Sequence, residues 1–310
     1  MSAQPSRTSI WAASARAVGS RFDEPRRNPD SLADKLMGRE ERAMIAGHPL
    51  ANVLDNDTPE NRQSPEVQSA AMTLIVRTKF IDERLVRMVR AGATQVVIMG
   101  AGWDTRAYRF ADILRGLRVF EVDQPATQDW KRRRATEALG PAPANLVYLP
   151  IDFRTQTLAD VLASAGYDPR QKTLFIWEGV TMYLPEQAVR DTLHWISKQA
   201  KGSMVVFDFA YSALIDQIAR AQQGEQPEGD RAKLVMDRLR QIAGWGEPWI
   251  FGVPTDESAK YINDLGLEHR ETLGMASIEA AHRYLAWTED RPFPAPIRQM
   301  YAIAEAVVPA

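Results

Sequence analysis

Cysteine is absent from the 310 residues, which excludes disulfides, thiolate nucleophiles, iron–sulfur clusters and cysteine-based zinc sites together. Histidine is scarce: His48, His194, His269 and His282 never form an H-x-x-x-H pair, so no metal centre is expected. An excess of either charge is also missing, with 38 Lys and Arg against 40 Asp and Glu for a formal net charge of −2. Such a chain has no global attraction for phosphate backbones or anionic lipid, and neither nucleic acid nor a membrane is expected as a partner. No stretch reaches the roughly 18 apolar residues of a membrane span, and the N-terminus lacks the continuous apolar core of a secretory signal, so a cytoplasmic location is expected. Residues 1–22 hold three arginines, five serines and no acid, a composition shared with organelle transit peptides, but a helix around Ile10 to Val18 in the mature protein is the reading adopted. The basic run Lys131-Arg-Arg-Arg134 is expected to be a solvated helix face, since Asp129 and Glu137 flank it.

Against these absences stands a series of short, almost wholly apolar runs, each closed by glycine or an acid. They are Gln95-Val-Val-Ile-Met-Gly100, Leu117-Arg-Val-Phe-Glu-Val-Asp123, Leu146-Val-Tyr-Leu149, Thr173-Leu-Phe-Ile-Trp-Glu178 and Ser203-Met-Val-Val-Phe-Asp-Phe209. Runs of this kind, separated by helix-like segments of about 15 residues or more, mark buried parallel strands and a doubly wound α/β sheet. Right-handed crossovers gather the loops leaving the strands' carboxyl ends along one edge, where open α/β folds bind ligands. Residues 1–94 look helical, broken by Pro49, Pro59 and Pro65, and are expected to form an N-terminal cover. A charged helical stretch at about 212–251 reads as a cap inserted into the sheet domain, which would span 95–310. The tail from Tyr301 is a strand or a helix by periodicity alone.

The first strand leads into Gly100-Ala-Gly-Trp-Asp-Thr-Arg106, where Gly100 and Gly102 let the backbone approach a ligand closely. Roughly 20 residues on, Glu121 and Asp123 end the second strand, placed to accept both hydroxyls of a ribose. The same spacing serves nicotinamide dinucleotides, but Thr105 stands where the third glycine of G-x-G-x-x-G would be, and a cofactor without a pyrophosphate fits better. Asp152 and Phe153 follow the third strand, an acid and an aromatic suited to a purine, or in the acid's case a helix N-cap. Glu178, at a buried strand end, requires a cation. Arg77 could form a bidentate pair with a carboxylate, although on its own a solvated helical arginine is the commoner case. Trp245, Trp249 and Phe251 are candidates for an apolar pocket or for packing within the cap, and His194 with Trp195 for packing.

Taken in order, Arg77-Thr-Lys-Phe-Ile-Asp, Gly100-Ala-Gly-Trp-Asp-Thr-Arg-Ala-Tyr-Arg, Phe120-Glu-Val-Asp-Gln-Pro and Trp177-Glu-Gly-Val-Thr-Met-Tyr-Leu resemble the leucine carboxyl methyltransferase family, especially its bacterial polyketide and mycobacterial-type O-methyltransferase branch. The resemblance extends to Arg26-Arg-Asn-Pro-Asp-Ser-Leu-Ala33 and to Tyr301-Ala-Ile-Ala-Glu-Ala306. It implies a class I, Rossmann-like methyltransferase fold with a mostly parallel seven-stranded sheet, helices on both faces, a helical N-terminal cover and an inserted cap. It also implies S-adenosyl-L-methionine as cofactor and S-adenosyl-L-homocysteine as product, with no metal. Carried over by motif, Arg77 would hold the methionine carboxylate, with Gly100 against the methionine moiety and Gly102 beside it. Asp123 would take the ribose, with Glu121 as the alternative, Asp152 and Phe153 the adenine, and Glu178 the methionine end. A carboxylate acceptor is ionised at pH 7 and needs no base, whereas a phenol with a pKa of about 10 would profit from one. No histidine stands at a strand end, so methylation of a carboxylate on a small-molecule or natural-product acceptor is expected, with Tyr183 and Tyr211 orienting the acceptor oxygens. Phenol or alcohol O-methylation, a nicotinamide-dependent oxidoreductase and a non-catalytic cofactor sensor are the alternatives.

Overall fold

The computed structural model describes residues 5–152, 155–225, 236–237, 239–240, 242–291, 293 and 301–310. Phe153 and part of the 212–251 stretch lie outside the described residues. The three prolines that punctuate the N-terminal third each start a helix at its first turn, where a missing N–H removes no hydrogen bond. They open α4 (Pro49–Asp55), α5 (Pro59–Gln63) and α6 (Pro65–Arg90). Ahead of these lie α1 (Arg7–Ser20), α2 (Leu32–Leu36) and α3 (Arg39–Met44). The segment Ile10 to Val18 is helical as expected, and all of it except Ala12 is buried. In α6, buried residues recur from Val67 to Met88, and they include Arg77, Asp82 and Arg84. The solvated reading of Arg77 therefore does not hold.

The five apolar runs form β1 (Gln95–Met99), β2 (Arg118–Asp123), β3 (Leu146–Pro150), β4 (Thr173–Trp177) and β5 (Met204–Tyr211). Three more strands complete the sheet: β6 (Gly252–Val253), β7 (Glu268–Gly274) and β8 (Tyr301–Val307). Seven strands run in the order β3-β2-β1-β4-β5-β8-β7, and the two-residue β6 adds an eighth beside β5. β1 to β5 are parallel, while β8 lies antiparallel between β5 and β7. The order reverses between β1 and β4, so the loops leaving these neighbours diverge and open a crevice between them.

Alternation divides the sheet into two buried faces. Val96, Ile98, Leu174, Ile176, Met204 and Val206 pack in one apolar cluster with residues of α1 and α6. Val97, Met99, Phe175, Trp177, Val205 and Phe207 pack in another, with Val161 and Leu162 of α9 (Leu158–Ser164) and Val189, Leu193 and Ile196 of α10 (Glu186–Ile196). Trp195 is part of that second packing, 5.7 Å from Phe175. Among the described residues, no helix is long and apolar enough to cross a membrane.

Candidate functional site

Register alone aligns the chemistry. Met99 pairs with Val122 on one side and Trp177 on the other, and Trp177 pairs with Phe207. One residue further along these parallel strands come Asp123, Gly100, Glu178 and Asp208, side by side across β2, β1, β4 and β5 at their carboxyl ends. A cavity of about 550 Å³ opens there, within the range of small-ligand sites, roughly 300–1,000 Å³. Six of the residues picked out from sequence line it: Arg77, Gly100, Gly102, Asp123, Glu178 and Tyr183. The start of α1 (Ser6 to Ser9, Trp11 and Ala12, with Arg16) and the loop from Trp245 to Trp249 roof the cavity.

Arg77 reaches the row from α6. Its Nε donates to Glu178 Oε1 at 2.8 Å, and its Nη1 donates to Asp208 Oδ2 and to the Tyr301 hydroxyl, each at 3.1 Å. Glu178 and Asp208 share this partner because both continue the strand alternation that faces α6. On the other carboxylate oxygen, Glu178 accepts from Arg106 Nη1 at 2.7 Å. Arg106 is held in turn by Asp104 and by Asp82 of α6. Burial works against charge on Glu178, but Arg106 and Arg77 overcome it and hold the carboxyl well below the usual range. Burial likewise opposes the Arg77 charge, and Glu178, Tyr301 and Asp208 outweigh it. Asp208 is the reverse case: burial pushes it up, against the pull of Arg77. Glu178 thus meets its required cation within the chain, and Arg77 Nη2 is the end of that guanidinium with no partner among the described residues.

Asp123 stands at the rim of β2, its Oδ1 accepting from the N–H of Gln124 at 2.6 Å and its Oδ2 from the N–H of Gly102. Burial raises its pKa, opposed by those two N–H groups. Gly100 and Gly102 both have positive φ, 64° and 45°, the region only glycine enters freely. At Gly100 a Cβ would also overlap Val180 Cγ2, so the backbone turns here in space no side chain could share. After the turn the chain forms only α7 (Arg106–Arg109), too short to offer a pyrophosphate the dipole of a long helix. Thr105 is buried and donates to Asp30 Oδ1 at 2.6 Å.

The structure puts other residues singled out from sequence away from the cavity. Glu121 is fully buried, two residues below Asp123 on the same strand, and is ion-paired at 2.5 Å with Lys131 of α8 (Pro125–Leu139). Burial pushes Glu121 to about 7, with Lys131 pulling it down. Lys131 is therefore an inward residue of the basic run, correcting the solvated reading at that position, while Arg132 and Arg133 stay exposed. Asp152 falls beyond the outer strand β3 and is not among the cavity's lining residues. It does not cap a helix either, since Thr157 caps α9. Tyr211 points to the opposite face of the sheet from Asp208, because it lies three positions further along a two-residue repeat, and it packs on Phe209. Tyr183 is the tyrosine of the expected pair that reaches the cavity, and burial raises its phenol above the ordinary value. Trp245 and Trp249 line the cavity as well, whereas Phe251 packs in the second apolar cluster.

Asp208, Arg106, Asp104, Arg16 and Tyr301 carry no role that the sequence alone reveals. An acid inside the otherwise apolar Met204–Tyr211 run was the available signal for Asp208; the arginines carry no local mark. Arg16 donates from Nε to Asp30 and from Nη2 to the Trp103 carbonyl, at 2.8 and 2.7 Å. Among the described residues the lining holds three arginines (Arg7, Arg16, Arg77) and four carboxylates (Asp104, Asp123, Glu178, Glu247). No group of histidines and carboxylates that could hold a metal ion occurs among the described residues.

Residues 9–197 match the family described as leucine carboxyl methyltransferase. A protein of Frankia alni, provisionally named an S-adenosyl-L-methionine-dependent methyltransferase, is 30% identical over 283 residues, 89% of this chain and 94% of its own. A protein of Streptomyces coelicolor with the same provisional name is 31% identical over 249 residues, 79% of this chain and 84% of its own. Among solved structures, a provisionally named methyltransferase of Thermobifida fusca aligns over 99% of this chain and 96% of its own, with 17% identity and a TM-score of 0.51. A DUF574 family protein of Streptomyces avermitilis aligns over 82% and 92%, with 13% identity and the same score. These two share the fold.

Proposed function

The chain belongs to the leucine carboxyl methyltransferase family and is an S-adenosylmethionine-dependent methyltransferase, and from this premise we propose that it methylates oxygen, namely a carboxylate of a small-molecule or natural-product acceptor. The cavity's donor set suits the cofactor. Asp123 offers carboxylate oxygens to a diol, Arg77 Nη2 a charged donor to the amino-acid carboxylate, and Gly100 and Gly102 a backbone that a ligand can approach closely. When bound, S-adenosylmethionine supplies the activated methyl group.

The observation that carries the choice of acceptor is what surrounds Tyr183. The described lining residues include neither histidine nor lysine. Glu178 is locked as an ionised carboxylate between two arginines, and Tyr183 is a neutral phenol at pH 7. Tyr183 is then a hydrogen-bond donor that orients an acceptor oxygen rather than a base that takes its proton. A carboxylic acid, with a pKa near 4, arrives ionised and asks for nothing more than position and exclusion of water. The roof formed by α1 and the Trp245–Trp249 loop supports that exclusion.

Methyl esters and methyl ethers differ in alkali, which gives the test. With methyl-labelled cofactor and a set of aromatic and aliphatic monocarboxylic acids, the labelled product is expected to release its label as volatile methanol on treatment with base. The rate is expected to be flat from about pH 6 to 9, above the acceptor's titration. Base-stable product from phenols, formed at a rate rising tenfold per pH unit, would replace the carboxylate by a hydroxyl acceptor.

A further inference from the structure

The three arginines among the described lining residues are not equivalent. Arg16 is committed to Asp30 and the Trp103 carbonyl, and Arg77 to Glu178, Asp208 and Tyr301. Arg7, the first residue of α1, has its guanidinium carbon 5.8 Å from the centre of the Trp245 ring, and among the described residues no carboxylate pairs with it. Glu247, the acid of this roof, is engaged elsewhere, since its Oε2 accepts from the N–H of Thr8 at 3.1 Å, where the unsatisfied amides of a helix start favour a carboxylate. That bond also ties α1 to the Trp245–Trp249 loop, fixing Arg7 over the indole. At this distance the guanidinium is within cation–π range of the indole, and among the described residues none of its N–H groups is taken by a hydrogen-bond partner, which leaves them open to an anion.

Elsewhere in the same cavity the wall is aromatic. Trp249 stacks on Tyr301 with ring centres 5.9 Å apart and meets Tyr183 edge-on at 6.3 Å, and Ile242 completes the apolar side. Resting on the carboxylate reading above, we propose that Arg7, braced by Trp245, is the specificity-determining residue that receives the acceptor's carboxylate, and that the acceptor carries a flat apolar body laid against Trp249 and Tyr183. Cofactor and acceptor then draw on different arginines: Arg77 lies deep in the strand row, Arg7 in the roof. The donor that reads the acid is supplied by the first turn of the N-terminal helix, not by the sheet.

The probes are 3-phenylpropionate and its amide, which has nearly the same shape without the charge, titrated against the full chain saturated with S-adenosylhomocysteine and followed by tryptophan fluorescence. Wild type is expected to bind the acid at least about tenfold more tightly than the amide, the size of one charge-assisted hydrogen bond. Arg7→Gln is expected to bring that ratio close to one, and Arg7→Lys to restore part of it, with S-adenosylhomocysteine affinity within about twofold of wild type in both. If wild type prefers the acid and Arg7→Gln keeps the full preference, the assignment to Arg7 is overturned while the carboxylate reading stands. If wild type shows no preference for the acid, or binds neither probe, both fall. Trp245→Leu is a second arm: losing the brace is expected to weaken the acid more than the amide, and equal weakening of the two counts against Arg7.

Discussion

Replacing Glu178 by glutamine is expected to lower the melting temperature by on the order of 10 °C at pH 7. Glu178 lies between two buried guanidinium groups, Arg77 at 2.8 Å and Arg106 at 2.7 Å, and the amide cannot neutralise either. Removing one partner of a buried ion pair costs about 3–5 kcal/mol because the remaining charge stays in a poorly solvated place. In a chain of this size each kcal/mol moves the transition by roughly 2–4 °C. The pH dependence has a definite sign. Arg106 and Arg77 hold folded Glu178 below its unfolded value, so its contribution is fully present above the unfolded value of about 4.3 and is lost as the pH falls through the folded one. Thermal scans of both proteins should therefore show a gap that is unchanged from about pH 6 to 8 and closes only in strong acid. A variant as stable as wild type at pH 7 would mean that the Arg77–Glu178–Arg106 bridge does not hold the strand row together.

Asp123→Ala is expected to weaken S-adenosylhomocysteine binding about 100-fold, measured by calorimetry, with little change in melting temperature. A carboxylate that accepts two hydroxyls contributes two charge-assisted hydrogen bonds of roughly 1.5–3 kcal/mol each, and about 1.4 kcal/mol corresponds to each tenfold in affinity. Stability changes little because Asp123 sits at the rim and bonds only the N–H groups of Gly102 and Gln124, which solvent or the ligand can satisfy. Asp123→Asn, which retains one acceptor oxygen, should fall between the two. Unchanged affinity would remove the ribose role from this position without handing it to Glu121, which is sealed against Lys131 beneath the sheet's edge.

What is legible in the sequence follows from where the information lies. Strands β1, β2, β4 and β5 are legible because burial on both faces writes itself as nearly unbroken apolar runs, and the acids or glycines in or closing those runs fall in one row once the register is known. The β8 segment is ambiguous because Tyr301–Val307 is short and apolar with one acid, Glu305; pairing with both β5 and β7 decides it as a strand, and Glu305 is answered by Arg84 and Arg87 of α6. Arg77, Gly100, Gly102, Asp123, Glu178 and Tyr183 meet in the cavity because each lies in or beside a motif that also carries the fold. Tyr211 is drawn in by proximity to a strand end, but the two-residue repeat turns it away from Asp208. Glu121 is chosen by spacing alone, and spacing says nothing of Lys131 ten residues on. The arginines that pair with Glu178 and Asp208 come from α6 and α7, a long-range pairing that leaves no local pattern. The roof is the least legible part: Arg7 and Thr8 lie more than 200 residues from Trp245 and Glu247, and the two pairs meet only in three dimensions.

Methyl transfer by this chain requires the row Asp123, Gly100, Glu178 and Asp208 to be an adenosyl-sulfonium site. Isothermal titration of the purified, folded chain with S-adenosylhomocysteine, and separately with NADH, tests this most directly. Saturable heat with one equivalent of the first and none with the second is the expected result. Silence towards S-adenosylhomocysteine, or binding of NADH in its place, would contradict it.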